Sequence, residues 1–342
     1  MSHAEVSVPV RAIAAGKLRR YHTVSWWRQL LDIPTTAANL RDVVFIAIGF
    51  LQSLWLLLTW RPDAVFTKGG FVCLPVGIAA HLLRIPLVIH DSDAHPGLTN
   101  RLLARWASFI ATGAPLENYP YPAAKSRYVG IPVDESFRPY TPDQQRAAKD
   151  SIGLVDTTKP LVVVTGGGLG AQRINTAMVQ IGDQLTEEGV CVYHITGQGQ
   201  YDAVAAQAPQ SVDYHAVPFV AQRMYDVLGA ADVVVTRAGA TTLLELAALA
   251  KPIIIIPNPL LTGGHQLKNA AVYAEAQAAI VLDERELGDN PGVLQQAILR
   301  FIRDPKLAQA YGERLQQFAK PEAAHDTAGL IIKAVKRQKR GQ

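Results

Sequence analysis

The segment from Val233 to Pro252 constrains this chain more than any other. A run of β-branched residues, Val233 to Thr236, has the composition of a strand buried in a parallel sheet. A turn containing Gly239 follows, and Thr241 or Thr242 is placed to cap a helix from about Thr242 to Ala250. Glu245 then falls in the first turn of that helix, where a carboxylate is favoured by the dipole and can accept bonds from a diol. A second apolar strand spans Pro252 to Pro257, and the loop after it holds Gly264, His265, Gln266 and Asn269. Any one of these residues has an ordinary reading as turn or helix-cap chemistry. Their order is the informative part. Strand, tight turn, helix start, acid, strand and amide-rich loop is how an α/β domain holds a nucleotide-sugar.

At 342 residues the chain has room for two domains with sizeable cores. Hydrophobic residues at 49% and charged residues at 18% exclude disorder and leave α/β or membrane-associated classes. The formal net charge of +4 suits anionic substrates or an anionic membrane face, and is too small to imply nucleic acid. Cys73 and Cys191 lie far apart in apolar runs and read as buried thiols of a reducing compartment. With no Cys-x-x-Cys or His-Glu-x-x-His pattern, no metal site is expected. The first residues lack the basic and apolar regions of a signal peptide. One segment is membrane-grade. Val43 to Trp60 is nearly all apolar, interrupted by Gly49, Gln52, Ser53 and Thr59. Its length is at the lower limit for a span, and Arg61 leads straight into a strand. The expectation is a helix docked on a sheet or lying at an interface. Trp26, Trp27, Trp55 and Trp60 favour headgroup contact over full insertion.

Strands alternate with helices in both halves, which predicts two parallel sheets. The first half has strands at Val10–Ile13, Ala64–Lys68, Pro86–Asp91, Phe109–Thr112 and Tyr128–Val129, with a helix from Leu74 to Leu83. Pro9 limits the first of these to an edge or a strand start. A proline-rich stretch from Pro115 to Pro142 holds the interdomain linker. The second half restarts at Leu161–Thr165 and continues through Val190–Thr196, Val233–Thr236, Pro252–Pro257 and Ile280–Leu282. Helices include Arg173–Glu188 and Gln266–Ala276. The tail, Leu330 to Arg340, is an amphipathic basic helix, solvated or drawn to anionic lipid. The domain expectation is 1–133, 134–320 and a C-terminal basic helix over 321–342.

Three further motifs carry chemistry. Gly166, Gly167, Gly168, Gly170 and Ala171 sit between a strand and a helix, where backbone N–H groups and the helix dipole receive an anion. They satisfy G-x-G-x-x-A, so a dinucleotide competes with a nucleoside diphosphate, and the Glu245 segment favours the diphosphate. Lys68, Gly69 and Gly70 form a second strand-to-helix turn, either a plain tight turn or a place for substrate to approach the backbone. His90, Asp91, Asp93 and His95 lead into a helix beginning near Thr99 and Asn100. Strand-end alternation would point the carboxylates and imidazoles in different directions. Polar contacts to a sugar or pyrophosphate acceptor, or a general base, are therefore expected rather than a metal.

Together these segments resemble the MurG family of two-domain GT-B glycosyltransferases, through most of the chain. The resemblance rests on Lys68 to Val72, His90 to Asn100, Val129 to Val133, Gly166 to Asn175, Arg237 to Glu245 and His265 to Asn269. It implies two Rossmann-like domains facing across a cleft. It implies inverting transfer of N-acetylglucosamine from UDP-GlcNAc to a polyprenyl-pyrophosphoryl-muramyl-pentapeptide, lipid I to lipid II of peptidoglycan synthesis. By that resemblance Gly166 to Ala171 hold the UDP phosphates and Val220 meets the uracil. Glu245 binds the ribose; Arg237, Gly239, His265, Gln266 and Asn269 complete the donor side. Lys68, Gly69, Gly70, His90, Asp91, Asp93 and Asn100 line the acceptor side. No cofactor and no catalytic metal are implied, and the protein would sit peripherally on the cytoplasmic face of the cell membrane.

Three departures qualify the resemblance. The family opens with a Gly-Gly-Thr-Gly-Gly-His-type loop that binds the acceptor pyrophosphate and carries the base; no such loop stands in this sequence. A mis-set start or a truncated gene, with impaired catalysis, is the expectation, and the first domain is expected to be incomplete. Asp134 stands where many members have a phosphate-facing arginine, so Arg138 would have to substitute. His90-Asp-Ser-Asp replaces a more usual His-Glu-Gln-Asn. The base is thus left unknown, with Asp91, Asp93 and His95 as the nearby groups. Another lipid acceptor, a non-catalytic nucleotide-sugar-binding subunit and a plain NAD-dependent enzyme are the competing readings. The last leaves Arg237–Glu245 and Gly264–Asn269 unexplained.

Overall fold

Two parallel sheets organise the computed structural model, which describes residues 8–16, 33–167, 171–259 and 264–341. The first half contains α1 (Ile33–Trp60), β1 (Val65–Thr67), α2 (Cys73–Leu82), β2 (Leu87–Asp91), α3 (Leu98–Leu103), β3 (Phe109–Thr112) and β4 (Ser126–Tyr128). Its strands lie side by side in the order β1-β2-β3-β4, all parallel. The second half begins with α4 (Pro142–Ser151), β5 (Leu161–Thr165), α5 (Gln172–Glu187), β6 (Cys191–Ile195), α6 (Tyr201–Ala205), β7 (Tyr214–Val217) and α7 (Met224–Ala230). It continues with β8 (Val233–Thr236), α8 (Ala240–Leu249), β9 (Ile253–Ile255), α9 (His265–Glu275) and β10 (Ile280–Val281). Four helices close the chain: α10 (Glu284–Asp289), α11 (Gly292–Arg303), α12 (Pro305–Gln316) and α13 (Ala323–Gly341).

The second sheet has the order β10-β9-β8-β5-β6-β7. Strand order therefore reverses between β5 and β8, and the crevice outside the carboxyl ends of those strands is where a doubly wound sheet binds its ligand. The expected architecture, two Rossmann-like α/β units, is the one observed. β3, β5 and β8 have the residue bounds expected from their apolar runs. All residues of β5 and β8 are buried, which is why continuous Val and Ile runs identified them.

Elsewhere the structure departs from expectation. Residues 10–13 form no strand; the Ala14 N–H instead bonds the Gln52 side chain at 2.7 Å. Gly49 allows this approach, because a Cβ there would stand 1.9 Å from the Ala14 carbonyl. The segment packs on a helix face rather than a sheet edge. β7 has no counterpart among the expected strands, because as an edge strand it is only half-buried and its Tyr214 and His215 break the apolar run. The strand expected at Tyr128–Val129 lies slightly earlier, as β4 (Ser126–Tyr128), paired with β3.

α1 docks on α2, with Phe50, Leu54 and Leu57 packed in the core of the first domain. Its opposite face stays apolar and open: Leu51, Trp55 and Leu58 are 63%, 65% and 51% exposed. By length and composition Ala38–Trp60 is one helix long and apolar enough to cross a membrane. α13 returns to the first sheet, where Leu330 and Ala334 pack with Val88, Ala111 and Val129. Its outer face shows Lys333, Lys336, Arg337, Lys339 and Arg340.

Candidate active site

The carboxyl ends of the two sheets face each other, and the floor between them is closed. A cavity of only about 20 Å³ remains there, lined by Ala94, Pro115, Ile131, Leu243, Asn269 and Phe318 among others. Above this floor the polar groups of both domains meet. Asn269, on the second turn of α9, is 4% exposed. Its Oδ1 accepts from the Ala94 N–H at 2.9 Å, and its Nδ2 donates to Asp93 Oδ1 at 3.1 Å and to the Ala238 carbonyl at 3.0 Å. One amide thus ties the β2–α3 loop to the β8–α8 turn. His265 Nδ1 lies 4.0 Å from Asp93 Oδ2 and is buried without a hydrogen bond among the described residues. The rings of His95 and His265 are 5.6 Å apart, and His95 Nδ1 contacts Lys268 Nζ at 3.0 Å. Gln266 Oε1 accepts from the Asn258 N–H at 2.8 Å and so holds the loop after β9.

On the first domain, the β2 end carries three differently treated groups. His90 is fully buried; its Nε2–H donates to the Gly130 carbonyl at 2.7 Å, which leaves Nδ1 to accept from Ser92 Oγ at 3.2 Å. Burial, opposed by the Gly130 bond and aided by Lys68, lowers its pKa and keeps the ring neutral. Asp91 is 5% exposed, and Tyr121 donates to its Oδ2 at 2.6 Å. Burial raises its pKa, against the lowering effect of Tyr121, Asn100 and the Gly97 N–H. Asp91 is therefore held away from bulk solvent. Asp93, nearly half-exposed, is the carboxylate that stands between the domains. Asn100 donates to the His90 carbonyl at 2.9 Å and packs beneath Gly69. Gly69 and Gly70 have φ of +82° and +83°, the left-handed region that glycine adopts without strain. Lys68 beside them is exposed.

On the second domain, Gly166 and Gly167 follow β5 at the switch point, while Gly168 and Gly170 lie outside the described residues. Ala171, 3% exposed, is the residue before α5, and no side chain caps that helix. α8 begins at Ala240, with Gly239 preceding it and no side-chain cap. Thr241 and Thr242 are thus inside the helix and cap nothing. The same shift moves Glu245 out of the first turn into the second, where the dipole acts less on a carboxylate. Burial alone raises the Glu245 pKa. The cause of the shift is the extended backbone of Gly239, which starts the helix two residues earlier than a threonine cap would. Arg237 is engaged internally. It pairs with buried Glu284 and donates to the Ile256 carbonyl at 3.1 Å, so its guanidinium braces the β8 and β9 ends. Val220 is half-buried against the core of this domain.

Several site residues escaped the sequence reading. Tyr121 and Tyr119 stack at 5.7 Å, and Tyr119 donates to the Asp93 carbonyl at 2.7 Å. They lie in the stretch read as linker, where their partners are not evident. Lys268 stood inside the amide-rich cluster, and Glu284 pairs with Arg237 only through the fold. Asp134 accepts from the Ser136 N–H at 2.8 Å and builds a local turn, while Arg138 beside it is exposed. Among the described residues no group of three or more His, Cys, Asp or Glu side chains gathers in a metal-holding arrangement.

Comparison with known proteins places this geometry. Residues 161–327 match the glycosyltransferase family 28 C-terminal domain, and residues 5–112 match the family 28 N-terminal domain. A UDP-N-acetylglucosamine--N-acetylmuramyl-(pentapeptide) pyrophosphoryl-undecaprenol N-acetylglucosamine transferase of Symbiobacterium thermophilum is 36% identical over 299 residues, 86% of this chain and 77% of the relative. The enzyme of the same name from Bacillus licheniformis is 35% identical over 292 residues, 84% of this chain and 77% of the relative. The crystal structure of MurG from Acinetobacter baumannii superimposes with a TM-score of 0.70 at 27% identity, covering 85% of this chain and 79% of that one. With each half matched to its own domain of one family, in order and on the fold that family uses, the chain belongs to glycosyltransferase family 28, among the MurG enzymes.

Proposed function

We propose that this chain moves N-acetylglucosamine from UDP-GlcNAc to the lipid-linked muramyl-pentapeptide, converting lipid I to lipid II. The observation that carries the reading is the meeting of donor-side and acceptor-side groups at one cleft: Asn269 and His265 of the second domain against Asp93 and Ala94 of the first.

The residues divide the work as follows. The start of α5 after Ala171 and the uncapped start of α8 present backbone N–H groups and the positive ends of two helices to the diphosphate. That pairing of charge needs no metal for donor binding. Glu245 accepts from the ribose hydroxyls, and Val220 meets the base through its backbone. His265 Nδ1, which lacks a hydrogen bond among the described residues, turns to the donor sugar or diphosphate. On the acceptor side, Lys68 and the Gly69–Gly70 turn receive the pyrophosphate. Asp93 takes the proton of the acceptor hydroxyl as that oxygen bonds to the anomeric carbon. The bond from that carbon to the diphosphate oxygen breaks in the same step, UDP leaves as the anion, and the configuration inverts. Asp91 does not suit this task, because its carboxylate is buried on Tyr121.

A lipid-embedded acceptor requires the first domain to touch the membrane. The exposed apolar face of α1 and the basic outer face of α13 both belong to that half of the molecule, which supports peripheral attachment to an anionic cytoplasmic face. The test is transfer of labelled GlcNAc from UDP-GlcNAc to a short-chain lipid I analogue, with UDP binding measured alongside. Transfer supports the reading. UDP binding with transfer only to a different polyprenyl lipid would reassign the acceptor. UDP binding with no transfer to any lipid would make the chain a binding subunit.

A further inference from the structure

The second domain has a built pocket at the edge of its sheet opposite the cleft. A cavity of about 740 Å³ opens beneath the amino ends of β5, β8 and β9, between α4, α11 and α12. This is within the size range of small-molecule sites. A strand's length separates it from the donor crevice, on the order of 15 Å at about 3.3 Å per residue. Its walls mix apolar side chains such as Tyr140 and Ile302 with the polar Gln145, Thr158 and Gln309, and two lysines enter it, Lys149 and Lys251.

The buried charges at its inner end do not balance: two lysines stand there against Asp232, while Glu313 lies exposed at the mouth. Lys149 is 5% exposed and is neutralised: its Nζ lies 2.7 Å from Asp232 Oδ2 and donates to the Lys159 carbonyl at 2.7 Å. Asp232 is shared with other donors and acts on Lys251 only through space. Its Oδ1 accepts from Gln145 Nε2 at 2.9 Å, and its Oδ2 also accepts from the Leu161 N–H at 2.7 Å. Lys251, 8% exposed, makes a single hydrogen bond among the described residues, to the Ala231 carbonyl at 2.7 Å, and joins no ion pair there. A buried ammonium with one neutral partner is costly, and two of its three N–H groups remain for a ligand. Burial pulls its pKa down to about 8, against the raising effect of Asp232, so it still carries a proton at neutral pH. At the mouth, Glu313 is exposed and accepts from Gln309 Nε2 at 2.8 Å. A second negative charge on a ligand would meet that carboxylate.

We propose that this cavity binds a small monoanion with an apolar body, an aromatic or branched carboxylate, its charge on Lys251 and its body against Tyr140 and Ile302. The site is independent of the transferase reading, because it shares no residue with the cleft.

The test uses 4-fluorobenzoate observed by ¹⁹F NMR on the full chain, with 4-fluorobenzamide as the neutral control. The benzoate should bind and the amide should bind at least tenfold more weakly. Lys251→Met should weaken benzoate binding at least tenfold, and Glu313→Gln should leave it equal or tighter. If Lys251→Met does not fold, Gln309→Trp, an exposed change that fills the mouth, should block binding instead. Saturating UDP should not displace the benzoate. Equal binding of benzoate and benzamide, binding that survives both variants, or displacement by UDP would each overturn the proposal.

Discussion

Asn269→Ala separates two things that a static structure merges, the stability of each domain and the closure of the cleft. The substitution removes an acceptor for the Ala94 N–H and a donor to the Ala238 carbonyl, at residues 8% and 0% exposed. Orphaning a buried N–H or C=O costs about 1–3 kcal/mol each. The bond to Asp93 adds little, because that carboxylate is nearly half-exposed and screened. The Ala238 bond lies within the second domain and is lost in the open and closed forms alike, so the cross-cleft loss is that of the Ala94 bond, about 2 kcal/mol or roughly thirtyfold in the closed-to-open ratio. The bonds to the first domain cross the cleft, so the loss should appear in opening rather than in unfolding. The assay is amide hydrogen exchange. The Ala94 amide should exchange roughly thirtyfold faster by that arithmetic, while amides of β5 and β8 keep their protection. An unchanged Ala94 rate would show that the amide clasp does not hold the cleft. Equal loss of protection in the sheets would show that Asn269 supports the fold and not the closure.

Four other outcomes are expected. Glu245→Gln should weaken UDP binding by roughly 1–3 kcal/mol, the size of a lost charge-assisted bond, in a calorimetric titration; unchanged affinity would remove Glu245 from the ribose site. Asp93→Asn should lower the transfer rate on the order of 100-fold with little change in UDP affinity; a rate near wild type would place the base elsewhere. His194, held by Tyr214 and Asn175, has a pKa lowered from 6.5 to about 4 by burial. The unfolded chain thus binds more protons between those values, so stability should be full above pH 6.5 and fall by about 3 kcal/mol as pH drops to 4. Denaturation midpoints at pH 4.5 and 7 should differ less in His194→Gln. Finally, Leu51→Glu with Trp55→Glu, on the exposed face of α1, should abolish sedimentation with anionic vesicles while leaving UDP affinity unchanged.

Much of this was legible in one dimension because its causes are local. A continuous run such as Leu161 to Val164, or Val233 to Val235, buries both faces and can only be an interior strand. The glycine turn after β1, with Gly69 and Gly70 at positive φ, marks where the backbone must bend sharply before a helix. Those local signals, taken in order along the chain, were enough to identify two parallel α/β units and the family. Local signals failed where a partner decides the structure. Residues 10–13 have strand composition but lead into a segment held on α1 by the Ala14–Gln52 bond, and β7 became a strand because β6 offers it a ladder.

The roles of individual side chains were decided only by tertiary structure. Arg237 lies in the most informative segment, yet whether it faces a ligand or a protein carboxylate depends on Glu284, which is 47 residues away. Asn269 and Asp93 are 176 residues apart and meet only because two sheets bring their carboxyl ends together. Asp91 and Asp93 look equivalent in sequence; Tyr121 buries one and Asn269 holds the other in the cleft. Hydrophobic periodicity is a property of neighbours in the chain and determines which elements form. Charge pairing, burial and pKa are properties of neighbours in space, and they exist only once the two domains face each other.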